Sequence, residues 1–523
     1  MTPPRRKLPI GIQTFAKIRE ADYYYVDKTP MAWRLTQESG YFFLSRPRRF
    51  GKSLFLDTLK ELFQGNEPLF RNLYIHDRWD WTQSCPVIRI SFGGGVLKHP
   101  QALGEVLHQQ LEEHERRHAL PARYPDPRSR FRDLIARLRE QTGRGVVVLV
   151  DEYDKPILDN ITEPEIALAL REGLRDFYSV VKDSDAHLRF VFLTGVSKFS
   201  KVSLFSGLNN LNDITVDTAY SAICGYTEAD VDTVFAPELD GLDREEIRRW
   251  YNGYNWLGET VYNPFDLLLL FDKRQFRPWW FETGTPSFLV KLLAARRTWT
   301  PRLEQMHSSS TLLSTFDVDD IPTEALMFQT GYLTIASVDT MGAEGFFTLR
   351  YPNLEVRQGL NVALLSALMP DPQDSLARRR ALYLMLRSGD LRGMAAELHA
   401  LYAGIPHHWY DNNPIAHYEG YYASVFYSHF AALGLDIVLE DITNRGRIDM
   451  TVKFGGHIYL FEFKVVESAP EGRALRQLKD KGYAEKYRAE GLPIHLIGIE
   501  FSREKRNVVG FEMELAIERD DAP

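Results

Sequence analysis

Three groups of residues have the types and spacing to do chemistry. The first is Ser45-Arg46-Pro47-Arg48-Arg49-Phe50-Gly51-Lys52-Ser53, which joins a short apolar run starting at Tyr41 to the helix-period segment Leu54 to Phe63. Where a loop enters a helix in this way, successive backbone N–H groups point at an anion and match its charge. With a nucleotide there, Lys52 would reach the β and γ phosphates and the Ser53 hydroxyl would ligate magnesium. The second group is Asp151-Glu152, which ends the buried-type strand Val146-Val147-Val148-Leu149-Val150. A carboxylate at the end of such a strand can hold the magnesium, and its neighbour can orient an attacking water. Asp151 is the metal-side candidate and Glu152 the base. The third group is Asp449 with Glu462-Phe463-Lys464, on either side of Gly455-Gly456.

The third group makes sense through strand register. Two glycines between alternating runs signal a two-residue hairpin. If Phe454 pairs with His457, Asp449 falls opposite Glu462, and Lys464, two residues on, faces the same way. Opposed carboxylates lie about 4.5–5.5 Å apart at Cβ and repel one another unless a cation stands between them. Two acids and a lysine around a divalent ion can generate hydroxide from bound water and stabilise the charge that builds on a phosphodiester. A slip of one residue would send the two acids to opposite faces.

The phosphate loop departs from the usual pattern at one position. A glycine ordinarily stands six residues ahead of the lysine, and here Arg46 does, followed by Pro47. An arginine at a turn requiring positive φ would be strained, so the chain is expected to enter this loop differently. The run Arg46, Arg48 and Arg49 is expected to hold phosphates or an adjoining element. The acidic strand end downstream, in the right order, favours a nucleotide site over a solvated basic cluster.

Elements that could position these groups follow from the wider pattern. At 523 residues the chain is too long for one core, since domains usually span roughly 100–200 residues. Apolar residues at 44% and charged residues at 26% are those of a folded globular protein and exclude a disordered or fibrous chain. A net charge of −8 excludes a global positive field, so any nucleic-acid contact needs a local basic patch. Two cysteines, Cys85 and Cys224, exclude a disulfide scaffold and point to a reducing cytoplasm, and no apolar run approaches the length of a membrane span. Buried runs alternating with helical segments up to residue 225 predict a parallel sheet covered by helices. Residues 226–405 read as mainly helical, opening with Thr227 as a cap and interrupted by a hairpin near Gly342 to Gly345. From about His417 the pattern turns to helix, three strands (Asp436–Asp441, Arg447–Phe454, His457–Val466), a helix over Arg473–Ala489 and a strand His495–Phe501.

The residues Tyr25-Val26-Asp27-Lys28-Thr29, Ser45 to Ser53, Asp151-Glu152-Tyr153-Asp154-Lys155-Pro156 and Thr194-Gly195-Val196-Ser197-Lys198-Phe199-Ser200 resemble the bacterial AAA-ATPase-like proteins with a C-terminal PD-(D/E)XK nuclease-like domain. That family also lacks the first loop glycine. Arg447-Ile448-Asp449 and Glu462-Phe463-Lys464 are similar to the nuclease-like core. The resemblance implies an α/β protein in three parts: a P-loop ATPase domain over 1–225, a helical lid or connecting region over 226–405, and a restriction-endonuclease-like domain over 406–523. It adds Arg49 and Gly51 to the nucleotide site and offers Thr194 or Lys198 as the sensor of the γ phosphate. It makes Glu419 an extra acid beside the metal and gives Gln477 and Tyr483 supporting roles. The implied cofactors are ATP and Mg²⁺, with Mn²⁺ an alternative at the nuclease site. The expected partner is nucleic acid, DNA in preference to RNA, with no membrane and with homo-oligomerisation left open. The leading expectation is an ATP-dependent or ATP-regulated, metal-dependent nuclease. A nucleotide-switched signalling or nucleic-acid-binding scaffold that does not cut is the alternative.

Overall fold

The computed structural model describes residues 5–38, 40–198, 211–284, 300–309, 322–341, 344–368, 372–403 and 419–517, with isolated positions between 289 and 296. The chain divides into two compact units. One comprises Met1–Gly284 with Met306–Asn353, the other Thr285–Gln305 with Leu354–Pro523. The stretch 226–405, read from sequence as one connecting region, thus contributes to both.

The first unit is built on a five-stranded sheet of β1 (Tyr41–Ser45), β2 (Val87–Ser91), β3 (Val146–Asp151), β4 (Leu188–Gly195) and β5 (Leu211–Asp213). Their order is β2-β3-β4-β1-β5 and every pairing is parallel. Every residue of β1 and β3 is buried, which is why both read as continuous apolar runs rather than alternating ones. Helices Lys52–Phe63, Pro100–Arg117, Pro127–Thr142 and Pro164–Asp183 make the crossovers. Because β4 lies between β1 and β3, the loop after β1 and the acids ending β3 emerge at one edge with Thr194 between them. The register pairs Leu44 with Thr194 and Val150 with Leu193. Thr227 does cap helix Glu228–Val234, in a reciprocal box with Asp230. β6 (Met306–Ser309), β7 (Thr334–Met341) and β8 (Glu344–Arg350) form a small antiparallel sheet, with β7 and β8 as the expected hairpin.

The second unit holds a mixed sheet, β13-β12-β11-β10-β9, of β9 (Asp436–Thr443), β10 (Gly446–Phe454), β11 (His457–Val466), β12 (Ile494–Ser502) and β13 (Asn507–Ile517). β11 and β12 run parallel and the remaining neighbours antiparallel. Alternation along β11 sends Tyr459, Phe461 and Phe463 to one core, with Phe426 and Phe430 of helix Glu419–Ala431, and sends Ile458 and Leu460 to the other, with Leu478 and Tyr487. The helix expected over Arg473–Ala489 is shorter. It ends at Asp480, Gly482 turns left-handed at φ 56°, and a 3₁₀ segment Tyr483–Glu490 follows, because a glycine in that conformation terminates a helix. Among the described residues no helix is long and apolar enough to cross a membrane.

Candidate nucleotide and metal sites

In the first unit, the left-handed positions of the phosphate loop fall at Arg49 (φ 70°) and Gly51 (φ 96°), not at Arg46. Gly51 precedes helix Lys52–Phe63 directly, so the helix N-terminus opens onto the loop. Arg46 is fully buried. Its guanidinium donates to the carbonyl oxygens of Ser45 (2.9 Å), Thr215 (2.7 Å) and Tyr220 (3.2 Å) and stacks 4.1 Å from the Trp256 ring centroid. Burial pulls its pKa down to about 10. Where a glycine would let the loop turn, this chain anchors the loop by a side chain. Arg46→Ala would strand those carbonyls, so chemical denaturation of the first unit is expected to show a loss of about 3 kcal/mol. Lysine should not restore it, since an ammonium cannot serve several carbonyls and a ring together.

The other two arginines also reach adjoining elements. Arg48 lies 3.9 Å from Asp159, and Arg49 stacks 4.8 Å from the Phe265 ring. Both line a cavity of about 360 Å³ together with Gly51, Lys52, Ser53 and Glu152. Its far wall comes from Ile12-Gln13, Tyr24 to Val26, Tyr226 and Phe265, an apolar and aromatic surface of the kind that receives a nucleobase. Thr194 and Lys198 are not among its lining residues.

Lys52 is buried, and its ammonium donates to the carbonyls of Arg46 (2.8 Å) and Pro47 (2.9 Å). Burial depresses its pKa, while Cys224 and then Glu152, Asp151 and Asp154 act to raise it, so the lysine lies in the field of all three carboxylates. Asp151 is buried. One oxygen is 3.4 Å from the Arg89 guanidinium, and Oδ1 has no hydrogen-bond partner among the described residues. Glu152 holds a left-handed backbone at φ 53°, and burial pushes its carboxyl up while Lys52 pulls it down. Of the two sensor candidates, Lys198 is engaged. Its ammonium pairs with Asp213, and its amide donates to Gln329 Oε1 at 2.7 Å. The Thr194 hydroxyl is buried with no partner among the described residues.

In the second unit, Gly455 (φ 63°) and Gly456 (φ 81°) form the two-residue turn, a backbone that glycine adopts without strain. The β10–β11 ladder runs from Phe454↔His457 to Met450↔Phe461. At the next step, Asp449 and Glu462, the strands part. The Asp449 carboxylate itself accepts the Phe463 amide at 2.8 Å. Glu462 is fully buried. Its Oε1 accepts from Lys464 at 2.9 Å and from the Gln477 amide, while Oε2 has no partner among the described residues. Burial first, and the Asp449 charge second, push the Glu462 carboxyl up to about 7, against the pull of Lys464. Burial also raises the Tyr483 phenol, and the charge of Glu462 raises it further. Asp449, Glu462, Lys464, Gln477 and Tyr483 are therefore together. Glu419 opens helix Glu419–Ala431, and its side chain lies outside the described residues.

Both acid sites fit a hard divalent cation, because each presents a buried carboxylate oxygen with no hydrogen-bond partner among the described residues. Among the described residues no three His, Cys, Asp or Glu side chains converge on one point. The protein would thus supply one or two carboxylates at each centre, with the Ser53 hydroxyl in the first. Water and substrate oxygens would complete the shell, as is usual for magnesium.

Residues 9–205 match the AAA-ATPase-like family model, described as "Predicted AAA-ATPase", and residues 417–511 match a model of the PD-(D/E)XK nuclease superfamily. The chain belongs to the AAA-ATPase-like family. It is 65% identical over 511 residues to a protein of Azotobacter chroococcum mcd 1 named "Uncharacterized protein in vnfD 5'region", covering 98% of this chain and 99% of the other. In this AAA-ATPase-like protein several residues with clear contacts to the two sites are not evident from motifs. Arg89 bridges Asp151 and Asp57, and the one signal for it is a charge inside the apolar run Val87-Ile88-Arg89-Ile90. Glu500 accepts from the amides of Glu471 (2.5 Å), Gly472 (3.1 Å) and Arg473 (2.6 Å), which fixes the start of the helix that brings Gln477 to Glu462. Burial would raise the Glu500 carboxyl, but these amides outweigh it and hold the group low.

Proposed function

We propose that this AAA-ATPase-like protein binds and hydrolyses ATP with magnesium in its first unit and cleaves nucleic acid, DNA in preference to RNA, with a divalent metal in its second. The observation that carries the reading is the pair of buried acids with an unspent oxygen, Asp151 and Glu462, each beside a lysine. In the first unit the loop amides and Lys52 neutralise the β and γ phosphates, and Asp151 and Ser53 hold the magnesium. Glu152 orients a water and takes its proton as the water oxygen bonds to the γ phosphorus and the bond to the bridging oxygen breaks. Thr194, whose hydroxyl has no partner among the described residues, is the better sensor of the γ phosphate.

In the second unit a bound divalent ion supplies a Lewis acid and makes its water more acidic. Asp449 and Glu462 hold the ion. Lys464 offers an ammonium to the charge that grows on the phosphodiester, while Gln477 and Tyr483 keep Glu462 in orientation. The test is to incubate the purified protein with labelled single- and double-stranded DNA and RNA, with Mg²⁺ or Mn²⁺, with and without ATP. Metal-dependent cutting is the expected result. Retention of the labelled strands uncut under every condition would leave the non-cleaving scaffold in its place.

The raised Glu462 carboxyl sets a pH dependence. A proton and a metal ion compete for the same carboxylate, so Mn²⁺ affinity is expected to strengthen as pH rises through about 7. In metal-free protein the sign is opposite. A folded-state pKa lifted from 4.5 to about 7 contributes stability below the lower value that is lost as pH rises through the upper. Calorimetric Mn²⁺ titrations at pH 6 and pH 8 read the first effect, and a flat pH response of the native protein would contradict it.

A further inference from the structure

Asp154 stands three residues beyond Asp151, is fully buried, and has no part in the chemistry above. Its Oδ2 accepts from the amides of Val196 (3.0 Å) and Ser197 (2.6 Å) and from the Ser197 hydroxyl (2.5 Å), and its Oδ1 lies 3.2 Å from the Val196 amide. Its neighbour Tyr153 grips the same turn, with its amide donating to the Thr194 carbonyl (3.1 Å) and its hydroxyl to that of Ser197 (3.0 Å). Gly195 is enclosed so tightly that a Cβ would come within 2.4 Å of Asp154 Oδ1. On its other side the turn meets the start of the phosphate loop. The Ser45 hydroxyl donates to the Val196 carbonyl (2.5 Å), and the Arg46 amide to that of Gly195 (3.2 Å). Residues 194–197 are thus held between the loop after Glu152 and the strand that launches the phosphate loop. Burying a carboxylate is expensive, and what its charge gives in return is the ability of one oxygen to take three donors strongly.

We infer that Asp154 is a positioning residue for ATP hydrolysis: it locks the turn that carries Thr194 to the loop that carries Glu152, so that the Thr194 hydroxyl and the water-orienting carboxylate keep one geometry. The inference rests on the ATPase reading proposed above. Asp154 acts through these neighbours and need not touch the nucleotide.

ATP turnover and the affinity for a fluorescent ATP analogue, measured on the full chain and on Asp154→Ala, Asp154→Asn, Ser197→Ala and the double variant Asp154→Ala/Ser197→Ala, test it. Asp154→Ala is expected to lower kcat by about 30-fold or more with affinity within about threefold, a split that simple unfolding would not produce. Asp154→Asn keeps an oxygen in place, and Ser197→Ala removes one donor, so each should lose about 3- to 10-fold in kcat. The double variant should be no worse than Asp154→Ala, because the two residues share one interaction. If Asp154→Ala does not fold, Asp154→Asn and Ser197→Ala decide the matter by the same split. Turnover within twofold of the native protein, equal losses of kcat and affinity, or additive losses in the double variant would each overturn the inference alone. Absence of ATP turnover in the native protein would overturn it together with the ATPase reading.

Discussion

Lys52→Ala is expected to cut ATP turnover by about 100-fold or more and to weaken nucleotide binding with it. The lysine is the first residue of its helix and is buried at the mouth of a cavity that also exposes Glu152. It is the cation lying in the joint field of Asp151, Glu152 and Asp154. Without it Asp151 and Glu152 would face a triphosphate with one positive charge fewer, so the loss falls on the ground state as well as the transition state. Arg48 and Arg49 are poor substitutes, since the first lies toward Asp159 and the second is stacked on Phe265. Glu152→Gln should behave differently, stopping turnover while ATP stays bound, because it removes a proton acceptor and not a phosphate contact. Native turnover in Lys52→Ala would sink the nucleotide-site assignment.

Asp449→Ala is the second large effect. Metal-dependent cleavage should fall below detection, about 1000-fold or more, while ATP hydrolysis stays near the native rate. The carboxylate has two jobs here. It is one of two acids available to a cation among the described residues, and it accepts the Phe463 amide where the β10–β11 ladder opens. Alanine would leave that amide unpaired and let the strands close across the space the ion needs. Lys464→Ala should also stop cleavage, but with metal binding largely kept, so the pair of variants separates holding the ion from using it. ATP hydrolysis is the internal control, because the two sites belong to different compact units. Unchanged cleavage in Asp449→Ala would move any nuclease activity elsewhere in the chain.

Local rules made parts of this architecture legible. Gly455-Gly456 fixed the register because only a tight turn with two left-handed residues fits there, and the neighbourhood of Asp449, Glu462 and Lys464 followed from counting residues outward. The fully apolar β3 declared its burial on both faces. What stayed hidden depends on partners distant in the chain. Arg46 looks like a solvated charge until Thr215, Tyr220 and Trp256 close around it. Glu500 reads as one more charge near a strand end, yet it caps a helix almost thirty residues earlier. β13 was missed because Phe511 to Leu515 alternates acid with apolar residues while lying largely exposed at an edge, where no burial pattern reports it. The break at Gly482 was missed because the residues on both sides are good helix formers and one left-handed glycine overrides them.

The walls of the nucleotide cavity come from as early as Pro9 and as late as Thr283, whereas the described members of the second site all lie between Asp449 and Tyr483. During synthesis, at about 5–20 residues per second, the first cavity would wait tens of seconds between the emergence of its first wall and its last. Within that interval the phosphate loop would stay exposed until Thr215, Tyr220 and Trp256 had followed Arg46 out of the ribosome. The second site needs a hairpin, the following helix and the strand whose Glu500 fixes the start of that helix, contacts of shorter sequence separation that form fast once the strands are available. The two halves of this protein therefore place opposite demands on the cell's folding machinery: the first depends on protection while it is incomplete, and the second matures almost as soon as it is made.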